Sequence, residues 1–346
     1  MNGQWIGKYS GSDSGSIIIN LDDMGDHYHG VAFLTSANDK NPAVAAILKT
    51  DDKAKVFKLK TLLIFPIDRR NGLITTWDQV QQFYPNIVFS KEAEVSGEWT
   101  EKKLTLRWLT DQGFTGYSEL PKSSAGEKSD LKPRGFTWEY YKKHVSVLEA
   151  RRYLFRGQED DWRLRTFFHR SLRADLGRFL TEDIQTLHRY LTARTKHVFN
   201  LTIPDENGAF FNLVQHHGYP TPLLDWTYSP YVAAFFAFWH ISNAQAAEAA
   251  SNQKVRIFVF DQKQWRKDFN QPLSLNVAFP YFSIMEPLAI DNERMIPQQA
   301  ASSVTNIDDI ENYIQSKDKN KEKYLYVIDL PVAERKKIVR ELSRHL

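Results

Sequence analysis

Residues 215–239 read QHHGYPTPLLDWTYSPYVAAFFAFW, and this stretch decides how the chain is read. Leu223 and Leu224 lead a short strand into Asp225, Trp226 and Thr227. Ser229 then stands as an N-cap and Pro230 at the first helical position, where its missing N–H is not needed, so a helix starts at Pro230. Val232, Ala233, Ala234, Phe235, Phe236, Ala237, Phe238 and Trp239 leave that helix no polar face, and it is expected to be covered on nearly all sides. The polar groups at its mouth, His216, His217, Asp225, Thr227 and Ser229, are expected where a rigid element meets a cavity, which suits binding or catalysis.

Around this centre the chain has 346 residues, more than one core fills comfortably, and 42% of them are apolar; two globular domains are expected. The net charge of +3 is too small to imply nucleic acid by itself. Its distribution is uneven: residues 151–200 hold 11 Lys or Arg against 6 Asp or Glu, whereas residues 1–120 hold 13 against 15. There is no cysteine, which excludes disulfides, thiolate metal sites and cysteine nucleophiles. MNGQWIGKYS has no apolar signal region and no run approaches about 18 apolar residues, so a cytoplasmic protein is expected.

Residues 1–120 read as β structure, with runs at Trp5–Tyr9, Gly15–Leu21, Tyr28–Leu34, Ala43–Leu48, Val56–Ile64 and Glu94–Trp99 punctuated by Gly, Asn and Asp. Regular spacing favours a small barrel or sandwich for recognition or regulation, its interior filled by Trp5, Trp99 and Trp108. Asp78–Tyr84 reads as a helical insertion. Residues 121–134, rich in Ser, Gly and Lys, read as a flexible linker. The second domain, 135–346, opens with an amphipathic helix from Thr137, where Trp138, Tyr141, Val145 and Leu148 recur at helical spacing. A buried strand at Tyr153–Phe155 then delivers Arg156 to its end. A helix is expected from Thr181 to about Asn200, strands at Val255–Phe260 and Tyr324–Leu330, and a final helix from Pro331. The fold class is α+β.

Phe155-Arg156-Gly157-Gln158, Trp162-Arg163-Leu164, Gln215-His216-His217-Gly218 and Pro220 through Ala234 resemble the FRG domain, named for its Phe-Arg-Gly signature. The resemblance covers roughly residues 137–300. Arg294 with Gln298 or Gln299 resembles the family's later Arg and Gln signature, though Ala300, Ala301 and Ser302 stand where its pattern has Gly and Phe. The motif order is in turn similar, more loosely, to that of ADP-ribosyltransferases. That likeness implies a split sheet and NAD as substrate. Arg156 would hold its phosphates or ribose, Thr227-Tyr228-Ser229 would stand for the middle signature, and Gln298 or Gln299 for the third. The catalytic set so implied is Arg156, Thr227, Ser229, Glu293, Gln298 and Gln299; the NAD-binding set is Arg156, Gln158, His217, Asp225, Trp226 and Tyr228. An amide accepts no proton, so a carboxylate from Glu293, Glu286 or Asp225 is wanted, Glu293 before the others.

Plainer readings stand beside these. Arg156 pairs with Asp225 or Glu159 as a structural ion pair. Asp225 caps its turn, Trp226 packs under the helix, and Ser229 only caps it. His216 and His217, being adjacent, point in different directions, so a metal-dependent nuclease lacks ligands. Arg163, Arg165, Arg170, Arg173 and Arg178 alternate with Trp162, Phe167, Phe168 and Phe179, the pattern of a single-strand nucleic-acid groove or of a solvated helical face. The resulting expectation is an NAD-dependent effector or toxin that modifies an intracellular macromolecule, RNA or DNA before protein. It is restrained by an inhibitory partner and suited to antiphage defence. The alternative is a non-catalytic nucleotide- or partner-binding module.

Overall fold

Alternating burial builds the N-terminal strands: β1 (Gly3–Gly11), β2 (Gly15–Asp23), β3 (Tyr28–Ser36), β4 (Ala43–Lys49), β5 (Val56–Lys60), β6 (Leu63–Asp68), β7 (Leu73–Ile74), β8 (Ala93–Trp99), β9 (Lys103–Thr110) and β10 (Thr115–Pro121). The computed structural model describes residues 1–288, 290, 299–319 and 323–343. All ten strands join one antiparallel sheet in the order β5-β8-β9-β10-β1-β2-β3-β4-β6-β7. The sheet curls around a core that includes Trp5, Ile19, Leu48, Phe57 and Leu104.

The expected barrel is not formed, because the sheet does not close. The single run expected over Val56–Ile64 breaks at Thr61-Leu62, sending β5 to β8 and β6 to β4. At that corner the Thr61 amide donates to Ala93 O and the Leu62 amide to Ile47 O. The expected helical insertion is α1 (Trp77–Val80) followed by one 3₁₀ turn.

The expected linker is packed rather than flexible. Ala125 and Leu131 are buried, Ser124 Oγ donates to Asp309 and Ser129 Oγ to Glu311, and Asp130 pairs with Arg163 at 2.9 Å. Small polar side chains here satisfy buried carboxylates, a use that composition does not distinguish from solvation.

The remaining strands are β11 (Arg134–Gly135), β12 (Tyr153–Gln158), β13 (Leu223–Thr227), β14 (Lys254–Asp261), β15 (Phe282–Met285), β16 (Ala300–Thr305) and β17 (Leu325–Pro331), ordered β11-β17-β14-β12-β13-β16-β15. Only the short β11–β17 pair is parallel among them. Helices α2 (Trp138–Ser146), α3 (Phe167–Arg170), α4 (Leu176–Arg178), α5 (Gln185–Thr192), α6 (Pro204–His216), α7 (Pro230–Phe238), α8 (Asn243–Glu248), α9 (Gln262–Asp268), α10 (Ile310–Gln315) and α11 (Arg335–Leu342) surround that sheet.

One core joins α2, α7 and α11 to β14 and β17, and a second, with Trp226, Phe258, Phe260 and Trp265, includes α10. The helix expected from Thr181 begins earlier, at Leu176, and passes through a π-helical segment at Phe179–Ile184 before α5. The fold is thus a sheet-rich α+β architecture with two sheets, neither closed. No helix among the described residues is long and apolar enough to cross a membrane.

Candidate functional site

The site begins with a parting of two strands. β12 pairs with β14 along its whole length but with β13 only at Phe155↔Thr227. Continued pairing would bring Gly157 opposite Asp225. Instead the strands separate, and the Arg156 side chain fills the gap, its Nη1 donating to the Asp225 carbonyl at 2.7 Å. The gap opens into a cavity of about 890 Å³, within the range of small-molecule sites. β12 supplies Arg156, Gly157 and Gln158; β13 supplies Asp225 and Thr227. α3 contributes Arg170, α6 Asn212, Gln215 and His216, and α7 Phe236, with Trp239 just beyond its end.

Gly157 sets the depth of this floor. A Cβ there would come within 1.9 Å of the Ala233 carbonyl, so only glycine lets α7 lie against β12. α7 starts as expected, with Ser229 Oγ accepting from the Val232 amide at 3.3 Å and Pro230 following. It is not covered all round: Tyr231, Phe236 and Trp239 are exposed, and the last two line the cavity opposite Trp162, itself half exposed. Three aromatic rings thus stand at a polar cavity, where burial alone does not account for them.

Four guanidiniums line the cavity; Arg163 and Arg165 are held by aspartates, which leaves Arg156 and Arg170. Arg156 forms no ion pair among the described residues: beyond the Asp225 carbonyl its Nε reaches only Gln158 Oε1, at 3.5 Å. The expected pairing with Asp225 or Glu159 is therefore replaced by a bond to a backbone carbonyl. Burial lowers its pKa to about 10; the Asp225 charge works against that fall and Arg170 adds to it. It stays a cation at neutral pH. Arg170 is also lowered by burial, then by Arg165, and lies 5.5 Å from the Phe167 ring without an ion pair.

The rest of the Arg-aromatic segment is structural. Arg163 pairs with Asp130 and Asp309, Arg165 with Asp308, Arg173 with Asp22 and Asp183, and Arg178 with Glu182. Phe168 and Phe179 are fully buried.

The remaining expected residues fall in three places. Arg156, Gln158, Asp225 and Thr227 meet at the cavity. Gln158 Nε2 donates to the Trp162 carbonyl at 2.8 Å, and Thr227 Oγ1 accepts from the Ser229 amide at 3.0 Å. Ser229, one residue before α7, serves as its cap.

Trp226 borders the cavity but is buried, and Tyr228 does not line it. Trp226 is buried in the core with its Nε1 bonded to Ser303 Oγ at 3.0 Å, so its ring offers no face to a ligand. Tyr228 donates to Glu286 at 2.8 Å beneath the Arg151 guanidinium, and burial raises its pKa to about 12. Glu286 is occupied there, also pairing with Arg151. His217 is exposed at the end of α6 and does not line the cavity; His216 does. Gln299 is exposed, and its backbone carbonyl accepts from the Tyr228 amide. Glu293 and Gln298 lie outside the described residues.

Three contributors are not singled out as site residues by the sequence: Asn212 has no part in its reading, Gln215 enters only within the FRG motif and Arg170 only within the Arg-aromatic segment. The signal for two of them is present, since Asn212, Gln215 and His216 recur at i, i+3 and i+4 on one face of α6. Among the described residues no group of three or more His, Asp or Glu is placed to hold a metal ion.

No curated protein and no solved structure matches the chain. The strand that ends in Phe155-Arg156-Gly157, the cavity it floors and the helix that needs Gly157 all lie within residues 151–246, and that segment matches the family model of the FRG domain.

Proposed function

We propose that the chain transfers ADP-ribose from NAD to an intracellular macromolecule, as an ADP-ribosyltransferase-like effector. The observation that carries this reading is the cavity's composition: two cations without carboxylate partners among the described residues, Arg156 and Arg170, beside the exposed rings of Trp162, Phe236 and Trp239. A dinucleotide brings what such a site wants, phosphates for the guanidiniums and planar bases for the rings. Arg156 and Arg170 would hold the pyrophosphate, the rings would stack on a base or the nicotinamide, and Gln158 would meet ribose or amide groups. Cleavage of the glycosidic bond leaves an oxocarbenium-like ribose, so the site's work is fixing NAD while an acceptor approaches.

A nucleic-acid acceptor is preferred to a protein one. Its support lies in the three exposed rings, on which unpaired bases stack, since the Arg-rich segment is tied up in ion pairs. A toxin of antiphage defence held by an inhibitory protein is the biological role consistent with the FRG resemblance.

The test is purified protein incubated with NAD labelled in its ADP-ribose moiety and cell extract, then separated into protein, RNA and DNA. Label in one fraction is expected, lost in Arg156→Ala by about 100-fold from the missing charged hydrogen bonds. No label in any fraction, with the variant indistinguishable, rejects the transferase. Saturable NAD binding in that case would identify the cavity as a non-catalytic nucleotide module.

A further inference from the structure

We infer that Asp225 is the carboxylate that takes the acceptor's proton, and that Gln215 is the residue that positions it; this rests on the transferase reading. Among the described residues three carboxylates line the cavity: Glu159, Asp160 and Asp225. Asp160 is paired with Lys128 at 3.5 Å, and Glu159 lies beyond the end of β12 on an exposed turn. Asp225 sits within β13, between Leu224 and Trp226, whose side chains are in the core. Alternation along a strand therefore turns its carboxylate to the cavity face. Aspartate is disfavoured in strands, and a residue that breaks its element's preference is most readily explained at a site.

The carboxylate is aimed rather than merely exposed. Gln215 Nε2 donates to Asp225 Oδ1, and Gln215 Oε1 accepts from the Thr221 hydroxyl. Thr221 is fully buried; the carboxylate, which only accepts, draws the Nε2 end of the Gln215 amide, and the Thr221 hydroxyl holds the Oε1 end. The relay runs one way, from Thr221 through Gln215 to Asp225, and occupies one carboxylate oxygen. Arg156 is close enough to feel the charge yet bonds the Asp225 backbone instead of its side chain. The carboxylate thus lies beside the cations without being consumed by an ion pair. Of the other expected bases, Glu286 is bound to Tyr228 and Arg151, and Glu293 lies outside the described residues.

In the step so assigned, the C1′–N bond of NAD breaks with its electron pair passing to nicotinamide, which leaves neutral. The acceptor's N–H or O–H group attacks C1′, and its proton passes to Asp225 Oδ2 and from there to water. NAD plus acceptor yields ADP-ribosylated acceptor, nicotinamide and one proton.

The experiment measures NAD affinity by tryptophan fluorescence, nicotinamide release and transfer to acceptor, with thermal unfolding as a control. Asp225→Asn is expected to bind NAD within about threefold of wild type and to transfer at least ~100-fold more slowly. Asp225→Ala is expected to regain part of its rate when formate is supplied. Gln215→Glu keeps the acceptor for Thr221 but sets a second carboxylate against Asp225, so that the two share a proton and Asp225 is no longer held as a free base. Its kcat is expected to fall about tenfold, with KM and unfolding temperature nearly unchanged.

Wild-type transfer with Asp225→Asn within about threefold in rate overturns the base assignment, as does a loss seen only in NAD affinity. Asp225→Asn inactive but Gln215→Glu fully active overturns the positioning role. If wild type neither releases nicotinamide nor transfers label, the transferase reading itself has failed, and this assignment falls with it.

Discussion

Arg156 shows how one side chain does two jobs that only its chemistry joins. Its Nη1 replaces a missing strand partner at the Asp225 carbonyl, and the rest of its planar fork faces the cavity. A lysine has one point of charge and cannot do both. Arg156→Lys is therefore expected to lose about tenfold or more in NAD affinity despite keeping the charge; affinity equal to wild type in a fluorescence titration would remove the need for the fork.

A second prediction concerns His169, fully buried, with Nδ1 bonded to Thr166 and Nε2 without a partner among the described residues. Burial pushes its pKa down to about 4. The folded state keeps this imidazole neutral while the unfolded chain takes up a proton below about 6.5. Stability is therefore whole above that pH and declines as pH falls toward 4, by roughly 3 kcal/mol at full effect. His169→Gln should flatten this part of the stability-against-pH curve in urea titrations. At this scale the sequence was readable where a signature fixes a residue at a strand end, as at Arg156. It was not where the same local pattern fits either face: His216 rather than His217 meets the cavity, and Trp226 goes to the core.

The strand β12 and the helix α7 form the site as a pair, and their contact depends on what Gly157 lacks. With a Cβ placed 1.9 Å from Ala233 O and 2.7 Å from Ala237 N, Gly157→Ala must lift the helix or bend the strand. Either moves Phe236 and Trp239 away from Arg156. The expected cost is roughly 2–3 kcal/mol or more, with NAD affinity falling alongside; an unfolding midpoint within a degree of wild type would show that the helix gives way freely. The start of α7 was legible because Ser229 and Pro230 are local signals with a local cause. Its surroundings were not. An apolar run looks alike whether its rings fill a core, as Phe238 does, or stand exposed at an opening, as Trp239 does, because that difference is set by strands that approach from elsewhere. The parting of β12 from β13 has the same origin: no residue within either strand announces that their ladder stops after one pair.

The two sheets are held together by polar clamps that no local pattern foretells. Asp22 on β2 is buried, and it accepts from the amides of Ala174 at 2.7 Å and Asp175 at 3.2 Å and from Arg173 Nε at 3.2 Å. In sequence it is one of two adjacent aspartates at the end of β2, and its partners lie 151 to 153 positions away. Nearby, Gln4 receives the Asp308 amide and donates to the Asn306 carbonyl, while the Gly72 carbonyl accepts from the Ala278 amide. The N-terminal sheet therefore grips the segment Leu172–Asp175, which follows α3 directly, and α3 carries Arg170 into the cavity. Asp22→Ala leaves two amides and a guanidinium without their acceptor in a buried seam, a loss of about 3 kcal/mol. If the sheet does no more than support the second half, the folded fraction of this variant should bind NAD as wild type does. If instead it sets where Arg170 stands, affinity falls several-fold at temperatures where the protein is still fully folded. The geometry favours the second outcome, since only Ser171 and Leu172 separate Arg170 from Arg173 and the turn between them, through Leu172 at φ 62°, has little slack. Unfolding and NAD titration on the same Asp22→Ala sample decide it: a lowered midpoint with unchanged affinity would make the N-terminal sheet a scaffold, and a weakened affinity would make it a control point on the site.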